Sequence, residues 1–465
     1  MKRTMGEAFG SRNLALSLAA LLALLGISLQ VTVFYPGSLS PDSWNQYEEG
    51  KSGLYSDWHP PFMAFTWRIL DAIWTGPTGM LAFHLAIFWT ALFLFWKHLT
   101  QRSPWLSTLV PTISLLPTTV GLIGVIWKDI GTAACGLLAA SCLLTPTKGR
   151  PYRIAIVLLT IAYAAAVRRN GIFLVAPMVW LVLSDLMKPL FTPSQRAYRL
   201  LAAGILTPVS GLALLYTIST LERNWLYATQ RHIEQSIMLH DLASISQKTG
   251  LDKTPIEFRT PVYSASSLSA ALADVRCSDN CIYGQSAPYA VTSNPVALAA
   301  LKQAWLSEIA AHPRIYLQHR LTLWEGLLGW GFPDCRTKHF FFAKEFDAQF
   351  ADSAYWQDIY QKAIDWMGGH TPFFKTWFWL VVGFLSLVTI ELTGDQWMQR
   401  TSVVPLAAMS YSAGYFPSTV CCDFRYVWVV PILAMISALL ALDSCGRKRL
   451  KNRGDHPENF PDSLP

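Results

Sequence analysis

Long apolar runs separated by short polar segments dominate the chain. A helix needs about 20 consecutive apolar residues to cross the hydrocarbon core of a bilayer. Runs that approach this length predict about ten membrane-spanning helices, at 13–34, 77–98, 104–126, 129–146, 151–167, 170–188, 198–220, 373–393, 401–418 and 425–443. Outer-membrane barrels instead alternate polar and apolar residues in segments of about ten. The predicted fold class is therefore an all-α polytopic membrane protein.

Composition agrees with this class. Of the 465 residues, 52% are hydrophobic and 14% are charged, whereas about 25% of the residues of soluble proteins are charged. The chain has 19 tryptophans, a residue that concentrates at membrane–water interfaces. The net charge of +7 comes from Lys and Arg dispersed among short loops and the C-terminal tail. This dispersal is typical of cytoplasmic loops, and we expect no nucleic-acid partner.

The segment 61–75 is apolar but too short for a comfortable span, and it carries Arg68 and Asp71 on one helical face. We interpret it as an amphipathic helix that lies in the membrane interface, within a first outer loop at 35–76. With ten spans and an inside N-terminus, short cytoplasmic segments carry more than twice as many Lys and Arg residues as short outer segments. The positive-inside rule then places both termini on the cytoplasmic side of the membrane. We expect this membrane to be the cell (inner) membrane.

The spacing of the spans divides the chain into four parts. Residues 1–220 form an N-terminal transmembrane module, and 221–372 form a large extracytoplasmic loop, long enough for a small domain. We expect a membrane-hugging helix at 312–332, near the end of that loop, because basic residues mix there with apolar ones. Residues 373–445 form the C-terminal transmembrane helices, and the polar, proline-containing stretch 446–465 predicts a disordered cytoplasmic tail.

Two cysteines of the predicted outer loop, Cys277 and Cys281, are separated by three residues. In an oxidising compartment they could close a small disulfide loop. Free thiols and a metal pair are the alternatives, although no second ligand pair with zinc spacing follows in the sequence.

The first outer loop is rich in groups that titrate. Asp42, Asp57 and His59 lie in a short polar stretch between the first span and the Pro60–Pro61 break. Acids and a histidine at the membrane surface suit proton transfer on a membrane-bound substrate. The alternative for Asp42 and His59 is a local role at helix starts.

The outer ends of later spans carry a second set of charged residues: Lys128, Asp129, Arg168, Arg169, Asp423 and Arg425. Arginines at such turns can hold a phosphate through bidentate hydrogen bonds, and carboxylates can act as a general base or as metal ligands. Each also has a structural alternative, as an interfacial ion pair, a snorkelling side chain or a helix cap. Their position on one side of the membrane favours a single site, because charges at membrane level are costly.

The motifs resemble those of a known superfamily. They are Pro41-Asp42-Ser43, Ser56-Asp57-Trp58-His59-Pro60-Pro61, Trp127-Lys128-Asp129, Arg169-Asn170-Gly171 and Asp423-Phe424-Arg425-Tyr426. With the first outer loop, its interfacial helix and the long late loop, the chain resembles the GT-C superfamily of integral membrane glycosyltransferases. It looks similar to bacterial relatives of protein O-mannosyltransferases and of lipid A aminoarabinose transferases.

The resemblance implies an enzyme that moves a sugar from a polyprenyl-phosphate donor to a glycan, lipid or protein acceptor on the outer face. It implies Asp42 as the general base or metal ligand and Asp57 as the second acid. Lys128, Arg168, Arg169 and Arg425 become candidates for binding the donor phosphate. Many relatives have paired acids where this chain has Asp42 followed by Ser43. The second acid must therefore come from Asp57 or from Glu48 and Glu49, and the use of a divalent metal stays open.

Two other functions are compatible with the same sequence. One is a transporter or flippase of lipid-linked saccharides, and the other is a non-catalytic factor for envelope polysaccharide. Transporters place charged residues near the bilayer midplane and often contain repeats or broken helices. An enzyme predicts that Asp42 and the arginines converge on one outward-facing cavity, and a transporter predicts a path through the bundle.

Overall fold

The computed structural model describes residues 5–144, 151–273, 279–282, 286–330, 351–393 and 398–452. Throughout these ranges the regular structure is helical, and β-type pairing is limited to isolated bridges. The prediction of an all-α fold is confirmed for this part of the chain.

The helices of the N-terminal half are α1 (Met5–Phe34), α2 (Pro41–Ser52), α3 (Phe62–Asp71), α4 (Thr78–Thr100), α5 (Pro104–Ser107), α6 (Leu109–Thr112), α7 (Pro117–Ile123), α8 (Lys128–Leu143), α9 (Pro151–Val167), α10 (Gly171–Leu186) and α11 (Arg196–Asn224). Those that follow are α12 (Gln235–Thr249), α13 (Ala265–Ala273), α14 (Asp279–Ile282), α15 (Pro295–Ala311), α16 (Pro313–Leu328), α17 (Ala351–His370), α18 (Thr376–Thr393), α19 (Met398–Thr401), α20 (Val403–Gly414) and α21 (Val429–Asn452).

In the described residues, 5 helices are long and apolar enough to cross a membrane, the segments Arg12–Phe34, Thr78–Thr100, Pro193–Asn224, Thr376–Thr393 and Phe424–Arg449. Such lengths and compositions are those of a multi-pass membrane protein. The helices α9, α10 and α20 are apolar but shorter. All ten predicted segments are helical over most of their length, and the number that cross the bilayer remains a prediction.

The predicted span at 104–126 differs from the expectation of one continuous helix. Its two parts, Pro104–Leu115 and Pro117–Ile123, are bent by 49°. The break falls at Leu116, whose ψ of 139° is not helical. The following Pro117 lacks a backbone N–H and disfavours a helical conformation in the residue before it.

Helix α8 lies at the centre of the bundle. It packs against α4, α9 and α10, and nearly all its side chains beyond Lys128 are buried. Its many Gly and Ala residues, such as Gly131, Ala134 and Gly136, allow neighbouring helices to approach closely. In contrast, α11 exposes Leu201, Ile205 and Leu212, as expected of a helix that faces lipid. The central position of α8 fixes Lys128 and Asp129 at one end of the bundle.

The segment from α12 to α15 contains an apolar core of its own, formed by residues such as Leu239, Phe258, Tyr289 and Leu301. The helix predicted at 61–75 is present as α3, with its apolar face, including Met63 and Trp67, buried. The helix predicted at 312–332 is present as α16.

Cys281 is a buried free thiol in the apolar core of helices α12 to α15, as in the free-thiol alternative; Cys277 itself lies outside the described residues. One expectation about the C-terminus needs correction. Helix α21 continues to Asn452, so the predicted disordered tail begins later than residue 446. The basic residues after Gly446 favour a helix C-terminus, because their charges complement the helix dipole. The rest of the predicted tail, 453–465, lies outside the described residues.

Candidate functional site

The start of α2 is joined directly to the start of α8. Ser38 donates its N–H to Gly124 O at 3.1 Å and accepts from Ile126 N–H at 2.9 Å. Ser40 caps α2 and its hydroxyl accepts a hydrogen bond from Trp127 Nε1 at 2.6 Å. Gly124 permits this approach, because a Cβ at that position would overlap the ring of Phe34. These contacts place the first residues of α2 beside the first residues of α8.

Asp42, in the first turn of α2, is surrounded by cationic and polar side chains. Its Oδ2 lies 3.1 Å from Arg425 Nη1, and its Oδ1 lies 3.9 Å from His59 Nε2. Arg425 is held in turn by Asp423, whose Oδ2 lies 2.9 Å from Arg425 Nε. The Asp42 side chain is 33% exposed, whereas that of Arg425 is 16% exposed. The Asp42 carboxylate is therefore accessible although its neighbours are largely buried.

His59 is held between Lys128 and Asp42. Lys128 Nζ donates to His59 Nδ1 at 2.8 Å, which requires a neutral imidazole with its proton on Nε2, the atom that faces Asp42. Burial and the Lys128 charge lower the pKa of His59 to about 3. Burial raises the pKa of Asp42, but the charges of Lys128 and Arg425 outweigh it and hold that pKa well below its usual range. At neutral pH, Asp42 is therefore a carboxylate and His59 is uncharged.

Arg168 occupies the deeper side of the same group. It forms an ion pair with Asp129, and its Nε donates to the hydroxyl of Tyr415 at 2.8 Å. Its guanidinium lies 4.5 Å from the centroid of the Tyr426 ring. Arg425 lies 4.8 Å from the centroid of the Trp127 ring. Aromatic faces stabilise both guanidinium groups through cation–π attraction.

Lys128 differs from the two arginines in its partners. Asp129 pairs with Arg168, and both Asp42 and Asp423 pair with Arg425. Across the part of the chain that the structure describes, no carboxylate lies within ion-pair distance of Lys128 Nζ. Its charge is compensated only at longer range, which suits it to an added anion.

Two residues predicted for the site make their contacts elsewhere. Asp57 accepts a hydrogen bond from the backbone N–H of Arg231, and its own N–H donates to Thr229 O at 3.0 Å. Arg169 forms an ion pair with Glu222 of α11, a side chain that is 2% exposed. These contacts attach the loop between α2 and α3 to the segment that follows α11, and the α9–α10 turn to the last turn of α11. Neither Asp57 nor Arg169 contacts Asp42, Lys128 or Arg425 in the described structure.

The aromatic residues of the site were not predicted from the sequence. Tyr411 and Tyr415 are four residues apart on α20 and its end, so they share a face, and their hydroxyls lie 3.0 Å apart. The Tyr415 and Tyr426 rings are stacked, with an interplanar angle of 5°. The spacing of Tyr411 and Tyr415 was the available signal, but such spacing is common in helices with no site.

The arrangement gives no support to a bound divalent metal. Among the described residues, no group of three or more His, Cys, Asp or Glu side chains is placed to hold a metal ion. The charged side chains around Asp42 are chiefly cationic, and their positive charge opposes the binding of a metal cation there. The site is suited instead to an anionic group beside a carboxylate.

Comparison with known proteins finds no match to a protein family, to a curated protein or to a solved structure. The geometry of the site is therefore the main argument for function.

Proposed function

We propose that the protein is a membrane glycosyltransferase that moves a sugar from a polyprenyl-phosphate donor to an acceptor on the extracytoplasmic face. The observation that carries the proposal is the ionised, partly exposed carboxylate of Asp42, 3.1 Å from Arg425 and beside the Lys128–His59 pair. A carboxylate for the acceptor and cations for the donor phosphate are the two groups that such a transfer needs.

The roles follow from the contacts. Asp42 takes the proton of the acceptor hydroxyl or amine while the acceptor atom bonds to the anomeric carbon of the sugar. The bond between that carbon and the phosphate oxygen breaks, and the negative charge develops on the departing polyprenyl phosphate. Lys128 and Arg425 stabilise this charge. His59 faces Asp42 and is uncharged, so it adds no third positive charge beside the base.

The contacts of the four candidate cations support a smaller set of phosphate ligands. Among the described residues Lys128 forms no direct ion pair with a carboxylate, and Arg425 lies beside the partly exposed Asp42. Arg168 is paired with buried Asp129, and Arg169 with buried Glu222. We therefore propose Lys128 and Arg425 as the donor-phosphate ligands, with Arg168 supporting them and Arg169 outside the site.

A neighbouring cysteine supports the assignment of the site to the extracytoplasmic face of the membrane. Cys422, next to Asp423, is disulfide-bonded. Disulfides persist in oxidising compartments and are rare in the cytosol. This supports the placement of the site on the extracytoplasmic side.

A transporter of lipid-linked saccharides is the second candidate, because the 49° bend between Pro104–Leu115 and Pro117–Ile123 is the kind of interruption found in transporters. The charged side chains of the site cluster at helix ends, which favours the enzyme.

The test compares three purified proteins in detergent: the wild type, Asp42→Asn, and Asp57→Asn as a matched control from the same loop. Each is supplied with radiolabelled polyprenyl-phosphate sugars and an envelope extract as the source of acceptors. We expect transfer by the wild type and by Asp57→Asn, and a loss of at least about 100-fold in Asp42→Asn. Equal transfer by Asp42→Asn would remove Asp42 from the role of base.

No transfer by a well-folded wild type, together with movement of a fluorescent lipid-linked sugar across liposomes that contain the protein, would favour the transporter instead.

A further inference from the structure

A buried ion pair lies where the helices α12 to α16, which we call the outer helices, meet the site. Arg320 of α16 and Asp241 of α12 are both 0% exposed, and they contact each other directly. Asp241 also accepts a hydrogen bond from Trp305 Nε1 at 2.8 Å. Two charges taken out of water are costly even when paired, and apolar residues of similar size often stabilise as well or better. Stability alone is therefore a weak reason for this pair, and its other contacts point to a different one.

The second contact of Arg320 leads to the site. Its Nη1 donates to the backbone carbonyl of Thr419 at 2.8 Å. Thr419 lies between α20 and α21, in a stretch (415–428) that we call the site segment. The Thr419 hydroxyl donates to Cys421 O at 2.8 Å.

The site segment itself provides two charged groups of the site, Asp423 and Arg425. Asp423 accepts from the backbone N–H of Arg425 at 2.9 Å and binds the Arg425 side chain. Arg425 reaches Asp42 at 3.1 Å. A short series of hydrogen bonds, ion pairs and backbone therefore connects Asp241, in α12, with Asp42, in α2.

The same helix makes a parallel contact one turn further on. Trp324 Nε1 of α16 donates to Ser412 O of α20 at 2.8 Å. Helix α16 thus binds backbone carbonyls on both sides of Tyr415, the residue that accepts a hydrogen bond from Arg168. Side-chain donors to backbone carbonyls hold the position of the chain without depending on its side chains.

We propose that Arg320 is a positioning residue: it holds the site segment through the Thr419 carbonyl so that Arg425 stays against Asp42. The outer helices α12 to α16 are then coupled to the reaction through this contact. This inference rests on the function proposed above and adds to it a residue that touches neither substrate.

The variant that tests it is the double substitution Asp241→Asn with Arg320→Met. It removes both buried charges together, so neither is left unpaired, and the amide that replaces the Asp241 carboxylate keeps an oxygen for Trp305. Its control is Trp305→Phe, which removes one hydrogen bond of Asp241 but leaves the bond from Arg320 to Thr419.

The first readout is hydrogen exchange of the backbone amides of the site segment, followed by mass spectrometry in detergent. We expect roughly tenfold faster exchange over 419–425 in the double variant, no change in the control, and no change in α8 in either protein. The second readout is transfer kinetics, with kcat reduced roughly tenfold and the acceptor KM unchanged in the double variant, because Arg425 is proposed to act on the donor phosphate and not on the acceptor.

Unchanged exchange in the double variant would overturn the inference whatever the kinetics show. Faster exchange with an unchanged kcat would overturn it as well, because the site segment would then move without affecting the reaction. If the wild type transfers no sugar, the proposed function fails, whereas the exchange comparison still decides whether Arg320 holds the site segment.

Discussion

The ion pair between Arg168 and Asp129 offers the sharpest test of how the site is built. The Asp129 side chain is 2% exposed and that of Arg168 is 11% exposed. In Arg168→Met, the Asp129 carboxylate stays buried without its counter-charge. Breaking one side of a buried pair costs about 3–5 kcal/mol, whereas removing both partners is nearly neutral. We therefore expect Arg168→Met to be destabilised by that amount and Asp129→Asn/Arg168→Met to recover most of it.

The size of the thermal shift follows from the length of the chain. The entropy of unfolding is about 2.1 cal/mol/K per residue, or about 1 kcal/mol/K for the 465 residues. A loss of about 3–5 kcal/mol then lowers the midpoint of unfolding by about 3–5 °C. Intrinsic tryptophan fluorescence during a thermal ramp in detergent measures this shift for the wild type, both single variants and the double variant.

The control is an exposed pair. Lys362 and Asp358 lie 2.6 Å apart, but their side chains are 75% and 63% exposed. Since exposed pairs contribute little, Lys362→Met should change the midpoint by less than about 1 °C. Equal shifts in Lys362→Met and Arg168→Met, or strictly additive effects in the double variant, would refute the reasoning that burial of Asp129 makes this pair important.

The same proteins separate structure from binding. If Arg168 only supports the site, the double variant regains its stability and keeps its affinity for polyprenyl phosphate within about twofold. If Arg168 is itself a phosphate ligand, as the sequence predicted, stability returns but affinity falls by about tenfold or more, because a charge-assisted hydrogen bond is lost.

Three further predictions concern residues around the site. Arg169→Ala should lower stability by about 2 kcal/mol, because Glu222 loses its partner, and should leave donor affinity unchanged; a marked loss of affinity would return Arg169 to the site. Burial lowers the pKa of His240 to about 3 and that of His319 to about 2. Since the unfolded state takes up these protons below a pKa of about 6.5, stability should fall as the pH drops from 7 to 5, by about 2 kcal/mol per histidine. Thermal midpoints across that range measure the effect, and a flat profile would contradict it. Gly171→Ala should cost roughly 1–3 kcal/mol, because the new Cβ overlaps a backbone carbonyl of α9; wild-type thermal stability would show that the turn can relax.

Much of the architecture could be read from the chain, because hydrophobic length is a local property. The ten apolar segments are helical over most of their length, and α3 and α16 lie where amphipathic patterns predicted helices. The exceptions have local causes that the pattern did not weigh. Pro117 interrupts the helical segment from 104 to 123, and the basic stretch after Gly446 extends α21 to Asn452.

The site was only partly readable. The sequence indicated that charged residues collect at one set of helix ends, and this includes Asp42, His59, Lys128 and Arg425, which the structure brings together. It did not indicate that Asp57 and Arg169, close to these residues along the chain, turn toward other partners. Adjacent residues at the end of a helix point in directions that differ by about 100°, so neighbours in sequence need not share a site.

What the sequence determined by itself is the class of the protein and the kinds of charged group at its surface, since both depend on composition and on periodicity within single segments. Only the tertiary structure decided which carboxylate meets which cation. The contact between Asp42 and Arg425 joins residues at opposite ends of the chain, and Arg320 reaches the site from a third region. Such pairings depend on how distant helices pack, and no local pattern in the sequence encodes them.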